Sequence, residues 1–308
     1  AELCQAFEMP AVGISDSNNM FGALEFSTQI SNVGVQPIIG CNIKIKTPND
    51  LIHESIKDPF FYMNLYSKNI FGYRNLLKLI STSYMNVKKD SYIEIEDLIG
   101  LKEGIIVLTG GTNSIFKQCK NKIITNQANA FIKLLKENFN DDLYIEIQRF
   151  GKEQELLDEY CLLSMAYDNH LPLVATNDVF FESPEYYEAH DALTCIVKKL
   201  YVSQSDRLRL SDQHYFKSPG EMVELFSDLP EAAYNTIEIA EKCSFRPNIQ
   251  KPILPVFPIN DQTEKDLITK QSNEGLELRL KEKFALDNDD TLKKDEVTSV
   301  YKDRLQKE

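Results

Sequence analysis

The 308-residue chain carries a formal net charge of −13 and is 43% hydrophobic, a composition that can bury a sizeable core and that excludes wholesale disorder. No apolar run approaches the roughly 20 residues that span a bilayer, and so acidic a surface repels phosphate backbones, which argues against tight nucleic-acid binding by this chain alone. Cys4, Cys41, Cys119, Cys161, Cys195 and Cys243 stand singly, with no CxxC pair, so reduced thiols and a cytoplasmic location are expected.

The chain opens at Ala1, without Met, in a segment from Glu2 to Phe7 that reads as helix, which implies a truncated start. Ala11 to Ser15 reads as a buried strand, Met20 to Val33 as a helix stopped by Gly34, and Gln36 to Ile45 as a second strand. Phe60 to Ser67 alternates like a third strand, and Tyr73 to Met85 is amphipathic, with Leu76, Leu77 and Ile80 on one helical face. Strands follow at Gly104 to Thr109, Leu143 to Gln148 and Leu171 to Thr176, separated by helices at Gln127 to Asn138 and Glu153 to Asn169. Repeated strand–helix units imply a parallel sheet, open or closed into a barrel. After Phe181 the pattern is mostly helical: Ser218-Pro-Gly-Glu221 is a capping box opening Met222 to Phe226, and Pro230 to Cys243 follows. Pro247, Pro252, Pro255 and Pro258 mark an extended connector, then Thr263 to Phe284 reads as helix and a charged tail runs to Glu308.

Ligands gather at the C-terminal ends of parallel strands. The polar sets there are Ser15-Asp16-Ser17-Asn18, Cys41-Asn42 and Thr176-Asn177-Asp178. Asp16 and Asp178 aimed into one mouth could hold a divalent cation, but two ligands make a weak site, and strand-end Asp and Asn equally serve as turn and cap residues. The histidines, at 53, 170, 190 and 214, form no HxH, HxxxH or HExxH pair; His170 and His190 fit structural roles better than ligation. Phosphate loops, GxSxG elbows and Cys–His dyads are absent from the sequence.

Several stretches, in one order, resemble a single family. They are Met9–Phe26 (MPAVGISDSNNMFGALEF), Gly34–Cys41 (GVQPIIGC), Gly72–Ile80 (GYRNLLKLI), Leu171–Val179 (LPLVATNDV), Glu221–Phe226 (EMVELF) and Asn235–Ala240 (NTIEIA), followed by Ile253–Pro258 (ILPVFP) and Tyr301–Glu308 (YKDRLQKE). Together they resemble the N-terminal PHP domain, the polymerase-and-histidinol-phosphatase module, of bacterial DNA polymerase III alpha subunits, as a fragment truncated at both ends. The resemblance implies an α/β fold: a distorted PHP-type (β/α) barrel lacking its first strand over residues 1–254, then a short, mostly helical segment, 255–308, that links into the polymerase palm.

The resemblance also implies the state of the site. Active PHP domains hold a metal cluster and hydrolyse phosphoesters. Here Ser17 stands after Asp16 where active members have His, Asn42 replaces a strand-end acid, Tyr62 takes the place of a His, and Phe180 ends the Asp-x-His pattern begun by Asp178. Phe180 cannot coordinate a metal and Asn42 lacks the charge that holds a hard cation. Asp16, Ser17, Asn42, Tyr62, Asp178 and Phe180 therefore read as a vestigial site with no metal or cofactor expected, Asp16 and Asp178 being weak candidates only. Divalent metal would serve a polymerase region outside this chain. The implied role is a non-catalytic scaffold in DNA replication, whose partners are the rest of the alpha subunit and a proofreading exonuclease subunit, with no membrane association. The alternatives are a metal-dependent phosphoesterase or 3′–5′ exonuclease, and an inactive product of a split gene.

Overall fold

The computed structural model describes residues 1–48, 59–85, 91–111, 114, 122–151, 153–204, 206–207, 209–252, 254–255, 257–259, 263–286 and 291–308. His53, Cys119, Ile253 and Val256 lie outside the described residues. The chain divides into two compact units, Ala1–Ile249 and Gln250–Glu308.

The first unit is built on one six-stranded sheet whose spatial order is the chain order: β1 (Ala11–Ser17), β2 (Gln36–Lys46), β3 (Phe60–Ser67), β4 (Ile105–Thr109), β5 (Leu143–Ile147) and β6 (Leu173–Ala175). β1 and β2 are parallel, as are β4, β5 and β6. The expectation of a parallel sheet is corrected at β3, which runs antiparallel to both β2 and β4. Alternating strand-like and helix-like runs identify elements but do not encode strand direction. The helices around the sheet are α1 (Glu2–Ala6), α2 (Ala23–Asn32), α3 (Ile70–Met85), α4 (Ile95–Gly100), α5 (Lys122–Phe139), α6 (Glu153–Asp168), α7 (Tyr187–Lys198), α8 (Pro219–Leu225) and α9 (Pro230–Lys242).

Both faces of the sheet are covered, for different reasons. Cys41, Ile43, Met63, Leu65, Val107, Ile145 and Leu173 point to one face and pack against Leu76 and Leu79 of α3, Phe131 and Leu135 of α5, and Leu162 and Met165 of α6. This is the main core, and its β-branched and aliphatic runs suit strands buried on both sides. The opposite face begins apolar, with Ile38, Tyr66, Ile106, Leu108, Tyr144 and Val174 under Ile239 and Cys243 at the end of α9. It then turns polar, at Asn42, Asn64, Glu146 and Gln148. Side chains on this face bridge alternate strands, Ser15 of β1 reaching Asn64 of β3 and Asn64 reaching Glu146 of β5. In a flat sheet alternate strands stand about 10 Å apart, so the bridging shows the sheet curling over this face into half of a barrel. The architecture is an α/β half-barrel with outer helices.

Glycine makes two close approaches possible. A Cβ on Gly40 would stand 2.5 Å from the Tyr66 ring and 2.7 Å from the Leu65 carbonyl oxygen, and one on Gly72 in α3 would stand 1.9 Å from the Gly104 carbonyl oxygen. Caps agree with the sequence: Gly34 closes α2 at φ 80, and Ser218 and Glu221 cap α8 reciprocally, with Pro219 at its first turn.

The second unit holds two helices, α10 (Glu264–Leu286) and α11 (Thr291–Lys307). The charged tail is helical, in agreement with the mostly helical segment expected over 255–308. Thr263 caps α10 by accepting from the Asp266 N–H at 3.2 Å, and Lys283 of α10 lies 5.4 Å from the ring centre of Tyr301 on α11.

Candidate functional site

The polar end of the curled face opens into a cavity of about 870 Å³. Asp16, Ser17, Asn42, Tyr62, Asp178 and Phe180 all line it, so the structure brings the six expected residues to one place. Asn64, Glu146, Gln148 and Thr176 line it as well. Among the described residues, Lys, Arg and His are absent from its lining, which includes five acidic residues: Glu2, Asp16, Glu146, Asp178 and Glu182.

Each wall is held by local backbone chemistry. At the end of β1, Asn18 adopts the left-handed conformation (φ 53), which Asn tolerates better than most residues. Its N–H donates to the Asn42 carbonyl at 2.8 Å and its Oδ1 accepts from the Lys44 N–H at 2.8 Å, fixing the turn beside Asp16 and Ser17. At the far wall, His214 donates from Nδ1 to the Asp178 carbonyl at 2.9 Å, which sets its tautomer. The ring stacks on Phe150 at 3.8 Å between centres, and Phe180 donates its N–H to the His214 carbonyl. His214 is buried and shapes the segment from Asp178 to Phe180. His190 sits among aromatics, 5.5 Å from Phe180 and 5.6 Å from Phe181. His170 occupies the turn between α6 and β6 at φ 51. Both have the structural settings the sequence suggested.

The floor is a hydrogen-bonded relay centred on Asn64. Its Oδ1 accepts from Ser15 Oγ at 2.9 Å and Asn42 Nδ2 at 2.7 Å. Its Nδ2 donates to both Glu146 oxygens at 3.0 Å. Glu146 Oε1 also accepts from Thr176 Oγ1 at 2.5 Å and Gln148 Nε2 at 3.2 Å. Glu146 is 2% exposed. Burial raises its carboxyl pKa; donation from Thr176 and Asn64 works against this, while the nearby Asp178 charge adds to it. Burial likewise raises the Asp178 carboxyl and pushes the Cys41 thiol up to about 12, so Cys41 stays a neutral thiol.

Sequence reading missed Glu146, Asn64 and Gln148. The available signal was Glu146 and Gln148 two residues apart on one strand, sharing a face with Tyr144.

These residues do not fit a metal cluster. Among the described residues, no group of three or more His, Cys, Asp or Glu side chains is placed to hold a metal ion. The most buried carboxylate in the cavity, Glu146, accepts from N–H and O–H donors at both oxygens, and these bonds compete with a cation for its lone pairs. Asn42 spends its amide on Asn64, and Phe180 offers only a ring.

Residues 1–150, which hold β1 to β5 and, from the cavity, Asp16, Ser17, Asn42, Tyr62, Asn64 and Glu146, match the PHP domain family. The chain is also similar to DNA polymerase III alpha subunits. It is 39% identical to "DNA polymerase III subunit alpha" of Caulobacter vibrioides over 282 residues, covering 91% of this chain and 25% of that protein. The Rickettsia felis subunit of the same name is 37% identical over 306 residues, covering 99% and 25%, and that of Haemophilus influenzae is 34% identical over 279 residues, covering 90% and 24%. The chain spans about a quarter of the length of these relatives. No helix among the described residues is long and apolar enough to cross a membrane.

Proposed function

We propose that this chain is the non-catalytic PHP module of a replicative DNA polymerase III alpha subunit, supporting the polymerase portion and docking a proofreading exonuclease subunit. The observation that carries the non-catalytic reading is the engagement of Glu146 by Asn64, Thr176 and Gln148, which turns the cavity floor into a hydrogen-bonded brace between β1, β2, β3, β5 and the end of β6. Such a brace stabilises the half-barrel without needing an ion. In this reading residues 255–308 lead toward the palm, whose carboxylates would hold the metal ions of nucleotidyl transfer. The acidic balance of the chain, −13, leaves DNA contacts to other parts of the subunit.

A metal-dependent phosphoesterase or 3′–5′ exonuclease is the competing reading, and the convergence of Asp16, Glu146 and Asp178 on one cavity favours it. Metal analysis and a nuclease assay on the purified chain, equilibrated with zinc and manganese, separate the two. The scaffold reading expects no stoichiometric metal and no hydrolysis, together with co-elution of an added exonuclease subunit in gel filtration. Bound metal, with nuclease activity that disappears in an Asp16→Ala, Asp178→Ala double variant, would establish the hydrolase instead. Failure of the exonuclease subunit to co-elute would remove the docking role alone.

A further inference from the structure

Helix α7 buries Asp191 and Cys195 and turns a different face outward. On that face Leu193, Ile196 and Val197 are 58%, 73% and 74% exposed, and the row continues into Leu200 and Tyr201, the latter 76% exposed. Positions 193, 196, 197 and 200 recur at helical spacing. Lys199 takes the left-handed conformation at φ 56, and the Leu200 N–H donates back to the Cys195 carbonyl at 2.9 Å, which holds Leu200 against the helix end. Single exposed apolar residues are ordinary, but a continuous row marks a contact surface.

Two further features select what would cover it. The margin of the row is basic, since Lys198 and Lys199 are both exposed directly after Val197, in a chain whose net charge is −13. Beside the row lies a pocket of about 280 Å³ lined by Phe180, Tyr187, His190, Thr194, Lys198, Leu210 and the buried Asp191, whose carboxylate is paired with Arg207, so Lys198 borders both the row and the pocket.

We propose that the outer face of α7 docks a short amphipathic segment of a partner protein, one that presents apolar side chains along one face and carboxylates at its margin. An apolar side chain of that segment enters the pocket, and its carboxylates meet Lys198 and Lys199. A second copy of this chain suits the face less well, because a two-fold contact through it would set each lysine pair against its own copy. A lipid surface suits it less well too, because two lysines fall short of a polybasic patch. The inference goes beyond the module reading and stands whether or not the cavity holds a metal.

The test uses two labelled synthetic helical peptides of about four turns, both with leucines on one face, one with glutamates and the other with lysines at the margin. Each is titrated by fluorescence anisotropy against the full 308-residue chain. The glutamate peptide is expected to bind saturably and the lysine peptide not. Ile196→Asp should weaken binding at least tenfold, and a Lys198→Glu, Lys199→Glu double variant should reverse the preference between peptides. All three positions are exposed, so the variants should melt as the parent does. Equal binding of the two peptides, binding of neither, or binding indifferent to the variants overturns the proposal. So does a concentration-dependent dimer in sedimentation that Ile196→Asp abolishes, which would make a second copy the occupant.

Discussion

Replacing Asn64 with leucine would break the cavity floor at its centre. The variant loses the bonds that Oδ1 accepts from Ser15 and Asn42 and those that Nδ2 donates to the two Glu146 oxygens. Neutral hydrogen bonds contribute about 1 kcal/mol each and a bond to an ionised carboxylate about 1.5–3 kcal/mol. Treating the paired contacts from one amide nitrogen to one carboxylate as a single charge-assisted interaction, the loss is about 3.5–5 kcal/mol. At about 2–4 °C per kcal/mol for a domain of this size, the melting temperature should fall by roughly 7–20 °C. The loss should also depend on pH. Burial already holds the Glu146 carboxyl above its ordinary range, against the pull of its donors. Removing Asn64 takes away one of those donors and raises it further. A carboxyl whose folded pKa exceeds its unfolded value contributes fully below that unfolded value, about 4.3, and loses the contribution as pH rises through the folded one. The variant's deficit should therefore be smaller near about pH 4.5, where the lost neutral bonds remain, and larger near about pH 8. Urea unfolding followed by circular dichroism at both pH values measures it. A deficit below about 1 kcal/mol, or one equal at both pH values, would refute the claim that Glu146 depends on Asn64.

Gly40→Ala should cost about 1–3 kcal/mol by overpacking, because its methyl would meet the Tyr66 ring at 2.5 Å and the Leu65 carbonyl oxygen at 2.7 Å; an unchanged urea midpoint would contradict that contact. Arg149 donates to Glu159 at 2.5 and 2.9 Å, to Asp228 at 2.6 and 2.8 Å and to the Leu225 carbonyl at 2.7 Å, tying the end of β5 to α6 and to the segment between α8 and α9. The Asp228 side chain is 64% exposed, so that arm is screened and adds little. Arg149→Lys, which cannot reproduce the fork, should still destabilise by about 1–3 kcal/mol in denaturant titration. The Thr109 hydroxyl is buried without a hydrogen-bond partner among the described residues. Thr109→Val should accordingly leave stability unchanged or raise it by up to about 1 kcal/mol, and a clear loss would show that the hydroxyl has a partner.

Element identity was largely legible in the sequence because it rests on local physics. Buried strands such as Ile38–Ile39 and Ile105–Leu108 are short aliphatic runs bounded by glycine and polar residues, and α8 was marked in advance by its capping box and Pro219. Strand direction was not legible, because pairing is a tertiary choice. The alternation in β3, Phe61-Met63-Leu65 against Tyr62-Asn64-Tyr66, reads identically in a parallel and an antiparallel neighbour. The helix at 291–307 was expected only through the resemblance, which made 255–308 mostly helical, and not from residue pattern. Its exposed, charged residues give no apolar stripe to read.

The same reversal explains which half of the site the residues could disclose. Looking for ligands at the C-terminal ends of parallel strands finds Asp16 and Asp178, since β1 and β6 end at the mouth, and Asn42, which pairs with Ser17 at the end of β1 while β2 runs on to Lys46. β3 runs the other way, so its middle, Tyr62 and Asn64, stands there, and the rule passes over it; Tyr62 was reached only through resemblance. Glu146 escaped for a different reason. In Leu143-Tyr-Ile-Glu-Ile-Gln148 the polar residues alternate with aliphatic ones, the pattern of a strand with one wet face. Curling turns that apparently wet face inward, and Glu146 ends 2% exposed. A carboxylate so placed needs a basic side chain, a metal or several hydrogen-bond donors to remain stable. Among the described residues, Lys, Arg and His are absent from the cavity lining, and a metal would compete with protons already directed at both Glu146 oxygens. Asn64, Thr176 and Gln148 supply those donors, and the proposed metal-free reading of the site rests on these amides and hydroxyls on neighbouring strands rather than on the two aspartates.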